Sequence, residues 1–111
     1  MVEPRGVDVD EALELAQQGA FLLDVREDDE WQAGHAALAT HICLGEVPEH
    51  VDDLPRDRVI VCICRSGARS GRASKFLLEQ GFEAVNMEGG MLAWAGDDQP
   101  LVADSGAPVI N

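Results

Sequence analysis

Val59-Ile60-Val61-Cys62-Ile63-Cys64-Arg65-Ser66-Gly67-Ala68-Arg69-Ser70 is the stretch that decides how this chain folds. Val59 to Ile63 is apolar throughout and β-branched apart from Cys62, a run too short for a helix and typical of a strand covered on both faces. Cys64 then opens a short loop of small and cationic residues. From Gly71 to Gln80 the pattern is helical, with Ala73, Phe76 and Leu77 on one face. Strand, loop and helix in that order bring loop and helix-start N–H groups together at Cys64. A helix N-terminus and the neighbouring Arg65 and Arg69 both favour the thiolate, which makes Cys64 a candidate nucleophile that needs no histidine base. Ser66, Gly67 and Ala68 are small enough for the backbone to curl round an anion, and Arg65 and Arg69 add charge-assisted donors. Arg65 through Ser70 is therefore the expected anion-binding loop.

Outward from this stretch, helix and strand signals alternate. Residues 1–7 read as an N-terminal arm with one short strand around Val7. Asp8 with Glu11 reads as a capping box, or Asp10 takes the N-cap role, and Ala12, Leu13, Leu15 and Ala16 form an apolar face that ends before Gly19. Phe21 to Val25 is a second buried strand, with Asp24 and Arg26 at the end where open α/β sheets place their ligands. Glu27 to Ala33 suggests a short helix stopped by Gly34, Thr40 to Leu44 fits a short strand, and Pro48 to Leu54 fits a helical turn. Ala84 to Met87 is another strand, followed by Glu88-Gly89-Gly90 and a brief helix with Met91, Leu92 and Trp94. The domain is expected over residues 8–101, with 102–111 as a tail in which Val102, Val109 and Ile110 have apolar surface to dock. The alternation predicts an α/β fold: a mainly parallel sheet with helices on both faces.

Composition narrows the function. At 111 residues with 46% hydrophobic content and a mean hydropathy of −0.07, the chain has enough apolar surface for one core without disulfides or metal. No leader pattern and no apolar run near ~20 residues is visible, so neither export nor a membrane span is expected. A net charge of −13 argues against nucleic acid or an anionic membrane as partner. Four of the eight Lys and Arg residues (Arg65, Arg69, Arg72 and Lys75) nevertheless gather at one loop and its helix. That clustering suits a small anion at Arg65 and Arg69, whereas Arg72 and Lys75 read as a helix face paired with surface acids. Three cysteines, two of them nearly adjacent, point to a reducing compartment, the cytoplasm.

Cys64-Arg65-Ser66-Gly67-Ala68-Arg69-Ser70 resembles the active-site loop of rhodanese-type sulfurtransferases. Leu22-Leu23-Asp24-Val25-Arg26 with Gly34-His35, and Glu88-Gly89-Gly90-Met91-Leu92-Ala93-Trp94, match two further family segments in the same order, so the likeness spans roughly Asp8 to Leu101. The resemblance implies a five-stranded parallel sheet and a Cys64 persulfide. The persulfide would be loaded from a small sulfur-containing anion such as thiosulfate and discharged to a thiol, cyanide or an acceptor protein. It implies no metal and no organic cofactor. Arg65 and Arg69 would line the pocket, and Asp24 and Arg26 would support the loop. Two departures stand out. Ala36-Ala37-Leu38-Ala39 replaces a common Ile-Pro-Gly-Ala, with Leu38 at a glycine position, and Cys43 occupies a site where proline is frequent.

Other readings are weighed against this one. Cysteine-dependent phosphatases, and arsenate reductases with them, are the rival enzyme class; phosphatases of related fold use Cys-x5-Arg, one residue longer than Cys64-x4-Arg69. A sulfur-relay or redox-sensing module that works with a protein partner would look the same in sequence. Cys62 reads as core; a resolving role for Cys62 or Cys43 is the alternative, and Cys62-x-Cys64 lacks further ligands for a metal. His35, His41 and His50 show no pairing pattern and are assigned no catalytic role. Trp31 and Trp94 read as packing residues.

Overall fold

The computed structural model describes residues 3–111. Five strands, β1 (Arg5–Val7), β2 (Phe21–Asp24), β3 (Thr40–His41), β4 (Ile60–Ile63) and β5 (Ala84–Met87), form one sheet in the order β1-β5-β4-β2-β3. Every neighbouring pair is parallel. The helices are α1 (Val9–Gln17), α2 (Asp28–Ala33), α3 (Ala68–Glu79) and α4 (Gly90–Gly96), and a 3-10 segment, Leu44–Asp53, follows β3. The expected α/β class, with a parallel five-stranded sheet flanked by helices, is what the chain adopts.

β4 sits at the centre, and all four of its side chains are 0% exposed, which is why its sequence shows no polar alternation. Successive residues serve opposite faces. Val61 and Ile63, with Leu22, Val85 and Met87, pack under Val9 and Ala12 of α1 and Met91 and Trp94 of α4. Ile60 and Cys62, with Leu23 and Ala84, pack under Ala73 and Leu77 of α3 and against Val47 and Leu54. The register sets Leu23, Cys62 and Asn86 side by side across three strands.

Local chemistry fixes the helix starts. The Asp8 side chain accepts the Glu11 N–H at 2.8 Å at the head of α1, so Asp8 is the N-cap. α3 begins three residues earlier than its apolar pattern suggests, because Gly67 takes φ +112°, a left-handed conformation that turns the chain directly into the helix. Arg69 and Ser70 consequently lie in the first turn of α3, and the loop proper is only Arg65–Gly67.

The short strand expected around Val7 and the docking expected for Val102 and Val109 are present, and one expected strand is shorter than its sequence suggests. Arg5–Val7 is an edge strand paired with Val85–Met87, so this part of the N-terminal arm belongs to the sheet; Met1 and Val2 lie outside the described residues. The tail is fastened down: Val102 and His35 exchange backbone hydrogen bonds of 2.9 Å, and the Val109 N–H donates to the Ala33 carbonyl at 2.9 Å. The strand expected at Thr40–Leu44 covers only Thr40–His41 before the 3-10 segment begins. Among the described residues no helix is long and apolar enough to cross a membrane.

Candidate active site

Cys64 is the first residue past β4 and is 1% exposed. Its Sγ receives the Gly67 N–H at 3.0 Å and faces the Ser70 hydroxyl at 3.2 Å. Burial pushes the thiol up. The Ser70 hydroxyl and the N–H groups of Ser70, Gly67 and Ser66 act the other way and prevail, leaving its pKa below the ordinary thiol value. The other two cysteines contrast with it. Burial pushes Cys62 up to about 12, and burial, the Asp28 carboxylate and nearby acids push Cys43 up to about 12.

Two distant elements, β5 and α4, set these donors. Asn86, on β5, donates from Nδ2 to the Gly67 carbonyl at 3.0 Å, and its Oδ1 lies 2.5 Å from Ser70 Oγ. A hydroxyl carries one proton, so Ser70 donates either to Asn86 or to Cys64, and a charged sulfur is the stronger acceptor. At the start of α4, the Met91 and Leu92 N–H groups donate to the Cys64 and Arg65 carbonyls at 2.8 and 3.0 Å. In a trans peptide the C=O and the following N–H point in opposite directions. Holding the Arg65 carbonyl on α4 therefore directs the Ser66 N–H back toward the sulfur. Gly90 makes the approach possible: at φ +56°, a Cβ there would stand 2.4 Å from the Cys64 carbonyl oxygen.

The arginines are placed differently from expectation. Arg69 is bound bidentately by Glu30, at 2.7 and 2.9 Å, and the same contact pulls the Glu30 carboxyl down to about 2. Arg65 Nε donates to the backbone oxygen of Asn111. The hydrogen bonds that favour the Cys64 thiolate therefore come from backbone N–H groups and a hydroxyl. Both guanidinium groups stand nearby with other partners.

Asp24 and Arg26 form a fully buried pair, with Arg26 Nη2 2.8 Å from Asp24 Oδ2, and Arg26 goes on to donate to the Glu30 carbonyl of α2 and to the carbonyl of Gly34, which caps its C-terminal end. They hold α2 in place and reach the loop only through Glu30 and Arg69. Leu38, at a position where glycine is common, is an exposed turn residue outside the left-handed region, so leucine fits its backbone without strain.

The rhodanese-like domain profile matches residues 8–97. The chain belongs to that family. YtwF of Bacillus subtilis (strain 168), provisionally named a sulfurtransferase, is 48% identical over 85 residues, spanning 77% of this chain and 82% of that protein. A protein named sulfurtransferase from Allochromatium vinosum is 37% identical over 90 residues, spanning 80% of this chain and 84% of its own length. A rhodanese-related protein from Thermoplasma volcanium superposes with a TM-score of 0.82 at 33% identity, covering 88% of this chain and 97% of that one.

Within this rhodanese-like domain, several contributors escaped the sequence reading. Asn86 looked like one polar residue in a short strand; a lone amide in an otherwise buried run is the signal that marks it. Glu30 was hidden in the acidic run before Trp31. The histidines do have partners: His50 Nδ1 lies 3.1 Å from Asp53, and His41 Nδ1 lies 3.8 Å from Asp28. Trp31 is stacked between His35, at 3.5 Å, and His41, at 4.9 Å, and Trp94 is core, so both tryptophans pack as expected.

Proposed function

We propose that this rhodanese-like domain is a sulfurtransferase that carries sulfane sulfur on Cys64. One observation carries the reading: of three free thiols, only Cys64 is drawn toward the thiolate, despite burial, by donors converging from Ser66, Gly67 and Ser70. The Cys64 thiolate attacks the outer sulfur of a donor such as thiosulfate. A new S–S bond forms, the donor's S–S bond breaks, and its electron pair leaves with sulfite. The Ser66, Gly67 and Ser70 N–H groups hold the charge of the persulfide. An acceptor thiolate or cyanide then attacks the outer sulfur and returns the electron pair to Cys64. No metal or organic cofactor takes part in either step. Arg65 and Arg69 flank the entrance, and Asp24 and Arg26 keep α2 in register beside it. The three free thiols suit the reducing cytoplasm.

A relay role is a second reading, and Glu30 supports it. With Arg69 bound by a carboxylate, the entrance offers less positive charge to a free anion than its sequence implies, which favours delivery of sulfur by a protein donor. The same Glu30 repels phosphate, and with the Cys64-x4-Arg69 spacing it argues against the phosphatase and arsenate-reductase readings.

Intact-protein mass spectrometry after brief exposure to thiosulfate tests the assignment. Wild type should gain the mass of one sulfur atom and lose it to cyanide, and Cys64→Ser should gain nothing. Loading of Cys64→Ser would overturn the role of Cys64, and turnover of p-nitrophenyl phosphate by unloaded wild type would overturn the reaction class. Loading from a persulfidated protein but not from thiosulfate selects the relay.

A further inference from the structure

We infer that Asp28, His41 and Cys43 form a binding site for a divalent transition-metal ion of the zinc type, separate from Cys64. The three residues come from different elements: Asp28 opens α2, His41 ends β3, and Cys43 immediately precedes the 3-10 segment. Their donor atoms all lie within 4.8 Å of one another. Cys43 Sγ is 3.4 Å from Asp28 Oδ1, and His41 Nδ1, the ring nitrogen that the Arg26 carbonyl leaves free, is 3.8 Å from Asp28 Oδ1. A tetrahedral zinc ion with sulfur at ~2.3 Å and nitrogen or oxygen at ~2.1 Å separates its donors by about 3.4–3.6 Å. The observed spacings sit at or just above that range, so small side-chain movements suffice to close the site.

The surroundings fit a ligand set. His41 is oriented on both counts that a metal-binding imidazole needs. Its ring stacks on Trp31, and Nε2 is 2.6 Å from the Arg26 carbonyl, the outer partner that fixes which nitrogen remains for an ion. Glu27 and Glu46 add negative field at Cys43. A thiolate and an imidazole select zinc over magnesium or calcium, which prefer oxygen-only sets. Three protein donors leave a fourth position for water or an incoming ligand. On binding, the ion replaces the proton that the Cys43 thiol directs at Asp28, and that proton leaves to solvent.

The test uses the full chain carrying Cys64→Ser, which removes the other reactive thiol; Cys62 is fully buried. Titration with Co²⁺ should give a thiolate-to-cobalt charge-transfer band that saturates near one ion per chain and disappears on adding Zn²⁺. Adding Cys43→Ser should abolish the band and weaken Zn²⁺ by at least about 100-fold, above the roughly 10- to 100-fold cost of losing an outer-shell partner. Adding Asp28→Ala, whose side chain is largely exposed, should weaken Zn²⁺ by at least about tenfold. No charge-transfer band in the Cys64→Ser protein, or Zn²⁺ affinity unaltered by Cys43→Ser, would overturn the site. None of these readouts depends on sulfur transfer.

Discussion

Two cysteines stand just beyond the C-terminal ends of parallel strands in this domain, and their surroundings are opposite. Cys64 follows β4, and the chain returns at once through Gly67 into α3, so N–H groups and a hydroxyl converge on the sulfur. Cys43 follows β3, and the chain drops into a 3-10 segment while the acidic first turn of α2 leans over it. One sulfur meets donors and its pKa falls; the other, desolvated by burial and facing a carboxylate acceptor, is pushed up to about 12. A strand end supplies a place for chemistry, but the next element decides which charge is welcome there. The first place favours an anion, the second a cation.

The comparison breaks most completely at Gly90. Gly90→Ala sets a Cβ against the Cys64 and Arg65 carbonyls and forces a left-handed backbone on alanine, costing at least ~1–3 kcal/mol. Thermal unfolding should fall by more than about 4 °C, and sulfur loading should be lost even where the protein remains folded. Ser70→Ala removes a donor and nothing that fills the core of the loop. A hydrogen bond to a charged group contributes ~1.5–3 kcal/mol, but a more basic thiolate is also the better nucleophile. Alkylation of Cys64 by iodoacetamide at pH 7 should therefore slow by only roughly three- to tenfold, and its pH profile should move to higher pH. Unchanged kinetics would remove Ser70 from the site.

Glu30→Gln should have the smallest effect, a stability loss of ~1 kcal/mol or less for one partly exposed pair. Because the folded Glu30 carboxyl lies at about 2, below its ordinary value of 4.5, the pair stabilises fully above about pH 4.5 and loses that contribution as pH falls toward 2. The difference in stability between wild type and Glu30→Gln should shrink across that window. Freed of its carboxylate, Arg69 should also speed loading by thiosulfate, an outcome that sharpens the contrast between free-anion and protein donors.

The sheet, the central strand and Cys64 were legible because each is written locally: an unbroken apolar run, then a small-residue loop, then a helical face. The family resemblance added the Gly89-Gly90 segment without its reason, which is the approach of α4 to two carbonyls. What could not be read lies in contacts far apart in sequence. Asn86 and Gly67 are 19 residues apart, Glu30 and Arg69 are 39 apart, and Asp28 and Cys43 are 15 apart. The expectation that Arg65 and Arg69 favour the thiolate followed from proximity along the chain; Arg69 does interact with the Cys64 charge, but its hydrogen bonds go to a glutamate arriving from another helix, which proximity cannot show. The start of α3 was misplaced because an apolar pattern marks only the buried face, whereas the turn at Gly67 precedes it.

The hold of α4 on the Cys64 and Arg65 carbonyls has a consequence for biosynthesis. A ribosome releases Cys64 well before Met91 and Leu92, the residues that orient the loop. Until α4 emerges and docks, nothing directs the Ser66 N–H at the sulfur, and the thiol keeps more of its ordinary acidity. The full set of N–H donors around Cys64 is thus among the last features the growing chain assembles.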